Sequence, residues 1–156
     1  SKGALSALRS FLGDPERFAA IYLVRDGRAV TASYMRKYGL TVDAAVDRWL
    51  ASYRTQTLSL RRIPSDRRLL LRYEDLCRRP EAELARVCGF LKITYDDSML
   101  DLATRTIHNI AGNPMQLDGR RGKIQLDEGW RTYLDAATRT RVEQLLGRQN
   151  RRLGYY

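Results

Sequence analysis

The stretch AIYLVRDGRAVTASYMRK, from Ala20 to Lys37, joins a short apolar run to an amphipathic segment through a charged turn. The run Ile21–Val24 is too short for a lone helix and is rich in β-forming residues, which favours a buried strand. Asp26 is placed to accept hydrogen bonds from the first N–H groups of a helix, and Gly39 is placed to end that helix. The stretch therefore predicts a strand, a turn and a helix.

Arg25 lies at the point where the predicted strand ends, a position typical of phosphate sites. A helix N-terminus carries positive potential, and a guanidinium adds two parallel donors for an anion. Ser33 and Lys37 are four residues apart, so they share one side of the helix and can bind the same phosphate as Arg25. The alternative is an exposed ion pair between Arg25 and Asp26 with Ser33 as an ordinary helix serine, and the spacing leaves both interpretations open.

The segment LVRDGRAVTASYMRK resembles the 3′-phosphate-binding motif of sulfotransferases that use 3′-phosphoadenosine 5′-phosphosulfate (PAPS). That motif is a hydrophobic strand, then R-D-x-R-A and a serine eight residues after the first arginine. Arg25 and Ser33 fall on these two positions. The resemblance implies that both residues hold the 3′-phosphate of the donor and that Lys37 assists them.

The rest of the chain alternates between the two kinds of secondary structure. A second strand is predicted at Arg68–Tyr73, with the continuous apolar centre that parallel sheets bury on both faces. Amphipathic helices are predicted at Thr41–Ile63, Pro80–Leu91 and Thr138–Leu153. The pattern predicts a three-layer α/β domain with a central parallel sheet flanked by helices, in a single domain over residues 1–156. The resemblance implies the P-loop NTPase-like sulfotransferase fold.

Two further segments resemble parts of the family that contact the donor. Ser1-Lys2 resembles the end of a D-S-S-K element of the carbohydrate-type members, which implies that Lys2 is a catalytic cation beside the transferring sulfuryl group. A disordered terminal lysine is the alternative. Tyr73 opens a Y-E-D-L segment and matches a tyrosine that contacts the adenosine of the donor, although a core tyrosine is the alternative.

The segment 104–130 is rich in Gly, Asn and Asp and has no helical or strand period, which predicts a long functional loop. Arg120, Arg121 and Gly122 resemble the R-K-G element that clamps the 3′-phosphate from the opposite side, with a solvated charged loop as the alternative. The loop also resembles the H-x-x-x-G-N and D-x-x-W patterns of the carbohydrate-type branch, through His108, Gly112, Asn113, Asp127 and Trp130.

One half of the expected donor site has no match in the chain. The family binds the 5′-phosphosulfate with a glycine-rich G-x-x-R-S-G-T-[ST] loop near its N-terminus, and its general base usually lies there too. We therefore expect residues 1–156 to be the C-terminal portion of a sulfotransferase whose first βα units precede Ser1. The reaction implied is in-line sulfuryl transfer from PAPS to a hydroxyl or amine of a carbohydrate or small-molecule acceptor, releasing 3′-phosphoadenosine 5′-phosphate (PAP).

The net charge of +10 favours an anionic partner but does not identify it. The 28 basic residues include four lysines, and the arginines are spread along the chain, so no nucleic-acid partner is expected. The competing functions are a basic non-enzymatic module that binds RNA or another polyanion, and an inactive sulfotransferase-like domain. No apolar run reaches the length of a membrane span. The composition predicts a cytoplasmic bacterial protein, or a Golgi-lumen protein if the source is eukaryotic.

No metal is expected, because Cys77, Cys88 and the single histidine, His108, are too few for a zinc site. The two cysteines are expected to be free, mostly buried thiols, with a disulfide between them left open. His108 is expected to have a structural hydrogen-bonding role rather than that of a general base.

Overall fold

The computed structural model describes residues 19–101 and 125–156 of the chain. Strands β1 and β2 lie side by side in a two-stranded parallel sheet, and the remaining elements are helices. This is the predicted mixed α/β architecture. The elements are β1 (Ala20–Val24), α1 (Gly27–Tyr38), α2 (Val42–Leu60), β2 (Arg68–Arg72), α3 (Tyr73–Arg78), α4 (Pro80–Leu91), α5 (Trp130–Tyr133) and α6 (Ala136–Arg152), with 3-10 turns at Ser65–Arg67 and Asp97–Leu100.

The chain divides into two compact units. The first comprises residues 1–70 and 127–156, and the second comprises residues 71–126. The single domain over residues 1–156 stays a prediction. Within the described ranges, none of the helices combines the length and the apolar character that a membrane span requires.

Helix α1 begins and ends where the sequence predicts. The Oδ1 atom of Asp26 accepts a hydrogen bond from the backbone N–H of Arg28 at 2.9 Å, which is an N-cap. At the other end Gly39 adopts a left-handed conformation with φ of 63°, and its N–H donates to the carbonyl of Met35. A residue with a Cβ would be strained there, so glycine is the residue that suits this C-cap.

The two strands are less buried than predicted, since β1 was expected to be a buried strand and β2 to be buried on both faces. In β1, Val24 is buried, whereas Ile21 is 41% and Leu23 53% exposed. In β2, Leu71 is buried and Leu70 is 44% exposed. Successive side chains of a strand point to opposite faces, so the exposed residues of each strand lie on one face and the buried residue on the other. The apolar run alone does not distinguish these cases, because it records composition and not what packs on each face.

The core of the first unit lies between α1, α2, α5 and α6. One cluster joins α1 to α5, and a second joins α2 to α6. In the second cluster Trp49 is buried and stacks on Tyr53 with ring centroids 5.5 Å apart. These two aromatic side chains of α2 therefore belong to the core. The two clusters comprise Ala29, Ala32, Trp130 and Leu134, and Val46, Trp49, Val142 and Leu146.

The second unit contains α3 and α4, which pack against each other. Helix α4 has the predicted bounds, and its last residue, Leu91, is 39% exposed. Both cysteines are thiols rather than halves of a disulfide, as predicted, with Cys88 buried and Cys77 partly buried. The Sγ atom of Cys88 lies 3.7 Å from the Sδ atom of Met99.

Gly27 is the first residue of α1 and is packed too closely to carry a side chain. A Cβ there would lie 2.9 Å from Cζ2 of Trp49 and 3.1 Å from Oδ1 of Asn150. We expect Gly27→Ala to lower the free energy of unfolding by about 1–3 kcal/mol, because the indole and the amide would have to move. Chemical denaturation followed by circular dichroism measures this.

The matched control is Gly89→Ala in α4, where a new Cβ has nothing within 4 Å. Alanine has the higher helix propensity, so this variant should be as stable as the parent or more stable by up to about 1 kcal/mol. Equal stability of Gly27→Ala and the parent would contradict the packing around the turn.

Candidate phosphate site

The turn between β1 and α1 is held by a buried carboxylate. Asp26 is 6% exposed, and its oxygens accept from Nε of Arg28 at 3.0 and 3.1 Å and from Nη2 of Arg28 at 2.7 Å. The side chain of Asn150, 124 positions away on α6, donates to Oδ1 of Asp26 at 3.0 Å. The same amide accepts from the N–H of Gly27 at 2.8 Å. One aspartate and one asparagine therefore fix the turn to α6.

These hydrogen bonds occupy the first two N–H groups of α1. The N–H of Gly27 is bonded to Asn150, and that of Arg28 to Asp26. The helix start was expected to offer such donors to an anion. Because they already have protein partners, an anion here would rely on side chains.

Arg28 is the second arginine of the motif, and its role is structural. Besides Asp26, it bonds Glu143 at 2.9 Å through Nη1 and the carbonyl of Tyr156 at 3.2 Å through Nη2. Its guanidinium carbon lies 4.9 Å from the ring centroid of Trp130, within cation–π range. The hydrogen bonds that Arg28 donates to the carboxylates of Asp26 and Glu143 raise the pKa of Arg28 despite its burial.

Arg25 is held by Asp127 at the start of the C-terminal segment. Its Nη2 atom donates to the carbonyl oxygen of Asp127 at 2.7 Å and to Oδ2 of the same residue at 3.0 Å. The other carboxylate oxygen of Asp127 accepts from the N–H of Gly129 at 3.0 Å. Burial raises the pKa of Asp127, but the bonds from Gly129 and Arg25 and the charges of Arg25 and Arg36 outweigh it, so the pKa is below its ordinary value.

Ser33 and Lys37 lie one turn apart on α1, as predicted. Ser33 is partly buried, and its hydroxyl has no hydrogen-bond partner within residues 19–101 and 125–156. Lys37 is exposed, and its Nζ atom lies 5.6 Å from the ring of Tyr38. Arg36 was not predicted, yet its charge acts on Asp127 and its guanidinium lies 5.4 Å from the ring of Tyr133. The sequence did contain a signal for Arg36, because a residue three positions after Ser33 lies on the same side of the helix.

The remaining predicted residues fall elsewhere. Tyr73 directly follows β2 as the first residue of α3, and its hydroxyl donates to the carbonyl of Gln125 at 3.2 Å within the second unit. The other predicted site residues lie outside the described part of the chain, as does His108: Lys2, Arg120, Arg121 and Gly122. Among the residues that the structure describes, no group of His, Cys, Asp or Glu could hold a metal ion.

The sequence profile described as the Sulfotransferase family matches residues 18–97, just over half of the chain. The chain belongs to this family. The match spans β1, α1 and the strand-helix units that follow, and thus includes the turn with Arg25 and Asp26. No curated protein sequence gives a significant match.

Two solved structures share the fold of this chain. One is a sulfotransferase domain from the Synechococcus PCC 7002 olefin synthase, with 29% identity, a TM-score of 0.70, and coverage of 88% of this chain and 50% of that one. The other is a sulfotransferase domain from the curacin biosynthetic pathway, with 20% identity, a TM-score of 0.63, and coverage of 88% of this chain and 54% of that one. The chain thus spans about half the length of the structures it matches. The predicted sulfotransferase fold is confirmed.

Sequence reasoning missed two residues on which the arrangement depends. Asp127 was noted for a D-x-x-W pattern but not as the partner of Arg25, and nothing in the sequence pointed to Asn150. Both contacts join residues more than a hundred positions apart. Such pairs have no local spacing, so no periodicity or motif predicts them.

The carboxylate of Asp26 should make folding stability depend on pH. Burial raises its pKa, but hydrogen bonds from Arg28 and Asn150 and the charge of Arg28 outweigh this, so the folded pKa is below the ordinary value. The stabilisation is therefore complete above the unfolded pKa of about 3.9 and is lost as pH falls through the folded pKa. At neutral pH we expect Asp26→Asn to lower the free energy of unfolding by about 2 kcal/mol. The difference from the parent should shrink below about pH 4, as denaturant titrations between neutral pH and about pH 3 would show.

The comparison with Asp26→Asn is needed because Asp127 and Asp135 also have lowered pKa values and contribute to the acid dependence of the parent. Asp66→Asn, at an exposed aspartate, is the control for removal of a carboxylate. A constant stability difference between the parent and Asp26→Asn across this pH range would contradict the assignment.

Proposed function

We propose that this sulfotransferase uses PAPS as its donor and that the β1–α1 unit binds the 3′-phosphate. The observation that carries the proposal is the placement of Arg25. Its guanidinium is fixed at the turn by Asp127, while Ser33 on the following helix presents a hydroxyl without a partner in the described ranges. A guanidinium and a hydroxyl are groups that proteins use to bind phosphate.

The structure supports a division of roles between the two arginines. Arg28 is neutralised by Asp26 and Glu143, so its charge serves the fold. Arg25 shares Asp127 with Arg36, which leaves two guanidinium groups around one carboxylate. The charges of these two guanidinium groups favour an anion, and Lys37 would add to them from the next turn of the helix.

PAPS would supply the sulfuryl group: the acceptor oxygen or nitrogen forms a bond to sulfur as the bond from sulfur to the 5′-phosphate oxygen breaks and a base takes the acceptor proton. Arg25 and Ser33 would anchor the 3′-phosphate and so orient the donor. Tyr73 would contact its adenosine, and Arg120, Arg121 and Gly122 would meet the 3′-phosphate from the opposite side. Lys2 would stabilise charge on the departing oxygen.

The acceptor is proposed to be a small molecule with a hydroxyl or amine. Both structural neighbours are sulfotransferase domains of biosynthetic systems, an olefin synthase and the curacin pathway. This favours a biosynthetic intermediate over a carbohydrate as the acceptor. The arginine-rich composition is the ground for proposing that the protein is bacterial and cytoplasmic.

We expect Arg25→Ala to weaken the binding of PAP by roughly 2 kcal/mol or more, because it removes a charge-assisted contact to the 3′-phosphate. Isothermal titration with PAP and with 5′-AMP measures the effect. The 3′-phosphate is the only phosphate that the two ligands do not share. Binding of 5′-AMP should therefore change little.

Arg62→Ala is the control, since it removes one exposed positive charge outside the site. It should bind PAP as the parent does. A folded Arg25→Ala variant with unchanged PAP affinity would refute the role of Arg25. Weak binding of both nucleotides by the parent, lost equally as salt is raised, would instead favour the basic polyanion-binding module that the net charge of +10 suggests.

A further inference from the structure

We propose that Asp127 is a positioning residue that fixes the guanidinium of Arg25 for the 3′-phosphate. The inference rests on the proposed function and adds a residue to that site. Asp127 would act through Arg25 without touching the donor.

Asp127 supplies two acceptors to a single nitrogen of Arg25. The main-chain carbonyl lies 2.7 Å and the carboxylate oxygen 3.0 Å from Nη2. A guanidinium Nη atom carries two hydrogens, so these two acceptors account for both. With Nη2 fixed at two points, the planar group has one orientation instead of several. Binding then requires less loss of side-chain conformational entropy.

Asp127 is itself fixed by the fold. Its second carboxylate oxygen accepts from the N–H of Gly129, directly before α5. Helix α5 packs on α1, and Trp130 is buried against Ala29 and Ala32. The acceptor positions are thus set by the core and not by a free surface side chain.

The same geometry decides how Arg25 would meet a phosphate. The anion must meet the guanidinium while Nη2 stays bonded to Asp127, or it must displace Asp127 from Nη2. Displacement would break a bond to a main-chain carbonyl that is tied to α5, and this requires backbone movement next to the buried Trp130. Positioning is therefore favoured over competition between the carboxylate and the phosphate.

A carboxylate beside an anion site is compatible with binding because its charge is already offset. Arg25 lies 3.0 Å from Oδ2, and the charge of Arg36 also lowers the pKa of Asp127. The group therefore stays ionised at neutral pH, with the charges of two guanidinium groups acting on it.

Asp127→Asn tests the inference by titration calorimetry with PAP and 5′-AMP. The amide removes the charge, and its NH₂ group would face a donor, either Arg25 or the N–H of Gly129. We expect PAP affinity to fall about tenfold, with 5′-AMP affinity and the thermal midpoint nearly unchanged. In an Arg25→Ala background the same substitution should cause no further loss, because Asp127 acts only through Arg25.

Glu128→Gln is the matched control, since Glu128 is the next residue and pairs with Arg131 on the surface. It should leave PAP affinity unchanged. If circular dichroism shows that Asp127→Asn is unfolded, Asp127→Glu replaces it. Its longer side chain displaces the carboxylate while keeping the charge, and the same selective loss is expected.

The outcomes separate this inference from the proposed function. If the parent shows no preference for PAP over 5′-AMP, the proposed 3′-phosphate site fails and the inference fails with it. If the parent prefers PAP but Asp127→Asn binds it equally or more tightly, only the positioning role is overturned. Equal weakening of both nucleotides, or a further loss in the Arg25→Ala background, would overturn it as well.

Discussion

The buried carboxylate of Asp26 is the constraint on which the β1–α1 turn depends. Taking a charge out of water is costly unless it is paired and hydrogen-bonded, and here Arg28 and Asn150 supply those bonds. Because Asn150 belongs to α6, the turn cannot shift without moving the C-terminal helix. Gly27 completes the arrangement, since the indole of Trp49 occupies the space where a side chain would lie.

The two arginines of the turn have separate environments, and this separation makes a binding site possible. Arg28 is enclosed by Asp26, Glu143 and the ring of Trp130, so its charge is used inside the protein. Arg25 is oriented by Asp127 from another part of the chain. Since the first two N–H groups of α1 are also occupied, the anion recognition that we propose relies on the side chains of Arg25 and Ser33.

Much of the local structure could be predicted from the sequence because its causes are local. A capping aspartate and a C-terminal glycine mark the ends of α1, and β-forming residues mark β1. The family resemblance was predictable for the same reason, because its motif is contiguous. The exposure of the Ile21 and Leu23 side chains could not be predicted, since an apolar run does not show which elements pack against it.

By itself the sequence determined the order of strands and helices, the family, and the position of Arg25 at the end of a strand. Only the tertiary structure decided what surrounds that arginine. Asn150 and Asp127 reach the turn from more than a hundred residues away, and neither has a local signature. The physical reason is that hydrogen-bond caps and periodicity act between neighbours in sequence, whereas the orientation of a charged group depends on whichever distant atoms the fold brings within about 3 Å of it.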